Sequence, residues 1–106
     1  MSNERRVFDP NHYKTTTREQ WETAAEAWHR WGGLLNKWLG PATETMFDMA
    51  GITTGHRVLD VAAGAGEQSI AAAKRVGKTG SVLATDLSPT ILGFASQAAK
   101  DAGLNN

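Results

Sequence analysis

The chain has 106 residues, with eleven basic and eleven acidic side chains, no cysteine and 41% hydrophobic residues. Balanced charge excludes the basic excess of a nucleic-acid or anionic-membrane binder, and the lack of cysteine excludes disulfides, thiolate metal sites and cysteine nucleophiles. No apolar run nears the roughly 20 residues of a membrane span, and MSNERRVFDP lacks the apolar core of a signal peptide, so a cytoplasmic protein is expected.

Residues 1–14 are charged and without hydrophobic period, and are expected to form an extended arm. Thr17 followed by Gln20 reads as a capping box, and Trp21, Ala24, Ala25, Trp28, Trp31, Leu35 and Trp38 recur at helical spacing. One amphipathic helix over about residues 18–39 follows, with a kink or break at Gly32-Gly33, where each glycine costs about 1 kcal/mol relative to alanine. The four tryptophans are expected in the core and in helix packing rather than in a substrate cage. Gly40-Pro41 then ends this helix and opens a shorter one to about Ala50.

After the turn at Thr54-Gly55 the rhythm changes. Arg57 to Val61 is a short strand, Glu67 to Val76 a helix, Gly77 to Gly80 a turn, and Ser81 to Asp86 a second strand. Ser88 caps a last helix that has Pro89 at its first position and runs to about Ala102. The order α-α-β-α-β-α predicts parallel strands joined by a helical crossover. That is the opening of a doubly wound α/β sheet with N-terminal helices.

In such sheets ligands bind beyond the carboxyl ends of the strands, against the turn that follows the first one. Here that turn is Ala62-Ala63-Gly64-Ala65-Gly66. Gly64 and Gly66 permit unusual backbone conformations and close ligand approach, and the alanines keep the turn slim. The helix starting near Glu67 offers unpaired N–H groups to a carboxylate or phosphate. Asp60, at the end of the first strand, is placed to meet a cationic amino group directly or through water. Asp86, about twenty residues past the last glycine, is placed to accept from both hydroxyls of a ribose. A ligand with an ammonium, a carboxylate and a ribose is therefore expected, and S-adenosylmethionine carries all three.

The stretch VLDVAAGAGEQS resembles motif I of class I S-adenosylmethionine-dependent methyltransferases, an acid followed by alternating glycines. VLATDLSPTIL resembles the acidic strand end and Ser-Pro helix start of the same family, in the branch that includes the ubiquinone and menaquinone biosynthesis methyltransferases. The resemblance covers about residues 52–104, and WETAAEAWHRW is similar to the lid helices of that branch. It departs from the motif at Ala62, which stands at the first glycine position. The resemblance implies a Rossmann-like methyltransferase fold, with a helical lid-like segment over residues 1–51 and the cofactor-binding α/β part over 52–106. It implies that Asp60, Gly64 and Gly66, with Ala62 and Ala63, form the methionine-side loop, that Asp86 is the ribose acceptor, and that Leu87 flanks the adenine. It also implies five further strands, so the chain is expected to be an N-terminal piece, with a marginal fold and open sheet edges.

The expected activity is methyl transfer to a small-molecule acceptor, with no residue identified as a general base. His12, His29 and His56 have no metal-ligand spacing. A non-catalytic cofactor-binding or interaction module is the alternative, including a homo-oligomer through the sheet edge or the Trp-rich helix. A nicotinamide-binding dehydrogenase ranks lower, because the third glycine position of GxGxxG is Ser69.

Overall fold

The computed structural model describes residues 5–106, with elements in the order α1 (Pro10–Arg30), α2 (Gly32–Ala50), β1 (Arg57–Val61), α3 (Glu67–Val76), β2 (Ser81–Thr85) and α4 (Pro89–Asp101). From Arg57 onward the expected boundaries hold to within one residue. The N-terminal helices differ from expectation in three respects.

The first difference is where α1 begins. Residues 1–4 of the expected arm lie outside the described residues, but residues 10–14 are helical. Asp9 is the N-cap: its carboxylate accepts from the amides of Asn11 (2.9 Å) and His12 (3.3 Å), and Pro10 occupies the first helical position. Thr17 and Gln20 therefore lie inside a helix and form no capping box. Secondly, the break falls at Trp31, one residue before the glycine pair. Thirdly, Gly40-Pro41 does not divide α2. Glycine before the proline relieves the steric clash that normally ends a helix there, and Lys37, whose carbonyl loses its amide partner, is exposed to water.

β1 and β2 pair in parallel, with Val58 opposite Val82 and Asp60 opposite Ala84. Side chains alternate across the sheet, and the face bearing Val58, Val82 and Ala84 is partly covered while the other is not. Leu59, Val61 and Leu83 on that second face are 63%, 73% and 63% exposed. The outer edge of β2 is engaged at one point, where the Val82 amide donates to the Asn106 carbonyl (2.8 Å). The Asn106 side-chain amide in turn donates to the carbonyls of Ala73 and Gly77 at the end of α3. This is a partial doubly wound, Rossmann-like fold. Its radius of gyration, 17.0 Å, exceeds the roughly 13 Å of a compact domain of this length.

The helices are tied to the α/β half pairwise. Ala25 of α1 is fully buried against Ala65 and Ile91, flanked by Phe94, and the His29 ring stacks on Phe94 at 4.1 Å. Near the start of α4, the Thr90 amide and hydroxyl donate to the Glu22 carboxylate. The Ser88 hydroxyl, followed by these two donors, holds the Glu22 carboxyl below its ordinary range. α2 meets α3 through a Gln68 to Thr43 hydrogen bond and through Arg75, which bonds Glu44 and Asp48 and lies over the Phe47 ring. With α1 fixed to α4 and α2 to α3, both helices border the turn after β1.

The tryptophans correct the sequence expectation most clearly. Trp21, Trp28, Trp31 and Trp38 are 42%, 44%, 55% and 75% exposed, and none belongs to the core. That core is built largely from small side chains, Ala25, Ala65, Ala72, Ala73 and Ala95 among them. Alanines let α1 approach the turn and α4 closely, and α3 approach α4, which leaves no room at these contacts for an indole.

Candidate functional site

The turn after β1 is held from both strands. The Ala63 amide donates to the Thr85 carbonyl (2.8 Å), and the Gly64 amide to the Asp86 carboxylate (3.0 Å). The other Asp86 oxygen accepts from the Ser88 amide (3.0 Å), while the Ser88 hydroxyl caps α4 by accepting from Ile91. Asp86 is therefore oriented by two backbone donors rather than spent on capping the helix. A carboxylate has about four acceptor positions, so both oxygens keep capacity for hydroxyl donors.

Three residues in this turn adopt left-handed backbone: Ala62 (φ 60°), Gly64 (φ 62°) and Gly66 (φ 97°). Their reasons differ. A Cβ on Gly64 would have only the Ile91 side chain near it, at 4.0 Å, so this backbone faces open space. A Cβ on Gly66 would stand 2.8 Å from the Ala95 Cβ and 3.1 Å from its Cα. Gly66 is thus required for the contact between α3 and α4, a demand that the expected role in ligand approach did not include. Ala62 carries the strain that the glycine of the motif avoids. Ala62→Gly should raise the unfolding free energy by about 1 kcal/mol, seen as a higher urea midpoint at unchanged m-value; a lower midpoint would contradict this.

Two cavities flank the turn. One, of about 250 Å³, is lined by Ala62, Gly64, Asp86 and Leu87 from the α/β half, with Trp21, Trp28 and Ile91. The other, of about 220 Å³, is lined by Ala62, Ala63, Gly64, Ala65, Glu67 and Gln68, with Trp28, Leu35, Asn36, Leu39 and Thr43 from the helices. The first turn of α3 has no side-chain cap, leaving its N–H groups unclaimed by any capping side chain. A larger trough of about 300 Å³ between α3 and α4, bordered by Gly66, Val82 and Ala84, lies on the covered sheet face.

Of the seven residues singled out in the sequence, Ala62, Ala63, Gly64, Asp86 and Leu87 border the paired cavities. Gly66 does not, and neither does Asp60, whose carboxylate accepts from the Ser69 hydroxyl at 2.6 Å. Ser69, which in the sequence stands only as a departure from a glycine pattern, is buried and forms one unit with Asp60. Glu67 also lines a cavity, and so does Trp28, against the expectation that the tryptophans pack in the core. For Trp28 the signal was its helical register with Ala25, which is buried against the turn. Among the described residues no cluster of three or more His, Cys, Asp or Glu side chains could hold a metal ion, and no helix is long and apolar enough to cross a membrane.

Comparison with known proteins places this geometry. Residues 58–106 match the methyltransferase domain family. The ubiquinone/menaquinone biosynthesis C-methyltransferase UbiE of Cellvibrio japonicus is 33% identical over 73 residues, and that of Chromobacterium violaceum is 38% identical over 73 residues. Each alignment covers 69% of this chain and 28% of the relative, so the chain spans little more than a quarter of their length. The crystal structure of a SAM dependent methyltransferase from Aquifex aeolicus superposes with a TM-score of 0.57 at 33% identity, over 60% of this chain and 34% of that one. With its acid-and-glycine turn between two parallel strands, the α/β half of this chain is similar in sequence and fold to class I S-adenosylmethionine-dependent methyltransferases.

Proposed function

We propose that this chain forms the cofactor cradle of an S-adenosylmethionine-dependent methyltransferase acting on a small-molecule acceptor. The observation that carries the reading is Asp86, a carboxylate at the carboxyl end of β2 held by the Gly64 and Ser88 amides on the border of a cavity. Its unused acceptor positions suit the two hydroxyls of a ribose, and Leu87 beside it offers an apolar edge to a purine. The open amides of the α3 first turn suit a carboxylate. Gly64, with open space over its Cα, lets a ligand touch the backbone. The same residues would hold the product, S-adenosylhomocysteine.

Bound there, S-adenosylmethionine supplies a methyl group on a positively charged sulfur. The chain's own contribution is to orient it: Asp86 and the turn after β1 restrain the two ends, and Trp21 and Trp28 keep bulk water off one side. Such positioning is a large part of the acceleration in transfer reactions. The relatives named for ubiquinone and menaquinone biosynthesis support an aromatic, quinone-like acceptor.

A titration of the 106-residue chain with S-adenosylhomocysteine, followed by amide NMR, tests the reading. Saturable shifts at Gly64, Asp86 and Leu87 are expected, with Leu59 and Leu83 on the bare sheet face unmoved. A dispersed spectrum without shifts would reject the cradle.

A further inference from the structure

Trp28 borders both cavities, and it shares that position only with Ala62 and Gly64 of the turn. The indole thus stands over the boundary between the chamber of Asp86 and the chamber of Glu67. No lysine or arginine lines either chamber, whereas each contributes one carboxylate. A ligand spanning the two passes between two negative charges and beside an indole, the aromatic group that attracts cations most strongly. Trp21 lies 6.1 Å from Trp28, centroid to centroid, and extends the aromatic wall on the Asp86 side alone.

We propose that Trp28 binds the positive charge at the centre of the ligand, so that this wall discriminates a sulfonium from the neutral thioether left after methyl transfer. The inference rests on the cofactor reading and deepens it: Asp86 recognises what substrate and product cofactor share, and Trp28 recognises what distinguishes them.

The test is the ratio of affinities for S-adenosylmethionine and S-adenosylhomocysteine, measured calorimetrically on the full chain. Trp28→Leu, which keeps an apolar wall without a π face, should reduce the preference for the sulfonium by roughly 5- to 30-fold. Trp28→Phe should reduce it by about 2- to 5-fold, and it decides the matter alone if the leucine variant does not fold. An unchanged ratio, with both ligands weakened equally or not at all, would overturn the proposal and leave the cradle standing. Failure of the wild-type chain to bind either ligand would overturn the cofactor reading and this inference together.

Discussion

Gly66→Ala should lower the stability of this chain by about 2–4 kcal/mol, the sum of a left-handed backbone strained by a Cβ and an overpacked helix contact. The added methyl would meet Ala95 at 2.8 Å from its Cβ and 3.1 Å from its Cα, and the second of these is backbone that cannot swing aside. Relief requires α3 and α4 to separate, which opens the contacts among Ala25, Ala65 and Ile91 at the centre of the molecule. Gly64→Ala is the matched control. It meets the same conformational strain but no neighbour closer than 4.0 Å, so a loss of only about 1–2 kcal/mol is expected. Urea denaturation of both variants measures the difference. Equal losses would mean that the turn's backbone, and not the α3–α4 contact, is what demands glycine at residue 66.

The two glycines illustrate how far the sequence could be read. Their presence, spacing and left-handed conformation follow from a short strand running into a helix, because that reversal is local and few backbone paths achieve it. Which glycine faces open space and which faces Ala95 depends on residues 29 positions apart, and no local pattern carries that information. The same division separates the chain's two halves. From Arg57 to Asp101, caps and turns coincide with changes of hydrophobic period, and the boundaries were legible. In the helices the period runs on through Trp31 and Pro41, and it concealed where α1 begins and where the two helices divide, whereas the end at Ala50 was legible in Gly51. Asp9-Pro10 carried the same signature as Ser88-Pro89, an acceptor side chain followed by proline. The residues just after Pro10 are mostly polar, so no hydrophobic period marks the start of that helix.

The tryptophans were misjudged for a related reason. Large apolar side chains at helical spacing ordinarily mark a core, and the period does define the face of α1 that turns inward. At the centre of that face, however, is Ala25, fully buried where α1 crosses the turn and α4. A small residue at the point of closest approach displaces the larger ones to its margins. Trp21 and Trp28, one turn to either side, are left half-exposed at the border of the cavities. Close packing of alanine is thus what leaves an aromatic wall at the cavity border.

Asp86→Ala should weaken the binding of S-adenosylhomocysteine by at least about 100-fold, since hydrogen bonds to a charged group contribute about 1.5–3 kcal/mol each and a ribose would lose two. Helical content should be retained, because Ser88 caps α4 through its own hydroxyl. The substitution also leaves the Gly64 and Ser88 amides without their carboxylate partner, so lost affinity by itself would not separate ribose recognition from disorder in the turn. Comparing S-adenosylhomocysteine with its 2′-deoxy analogue separates them. The wild-type chain should prefer the full ribose by roughly 10-fold or more, and Asp86→Ala should bind the two alike. If the preference persisted in the variant, the hydroxyl acceptor would lie elsewhere, and Asp86 would serve to hold the turn rather than to read the sugar.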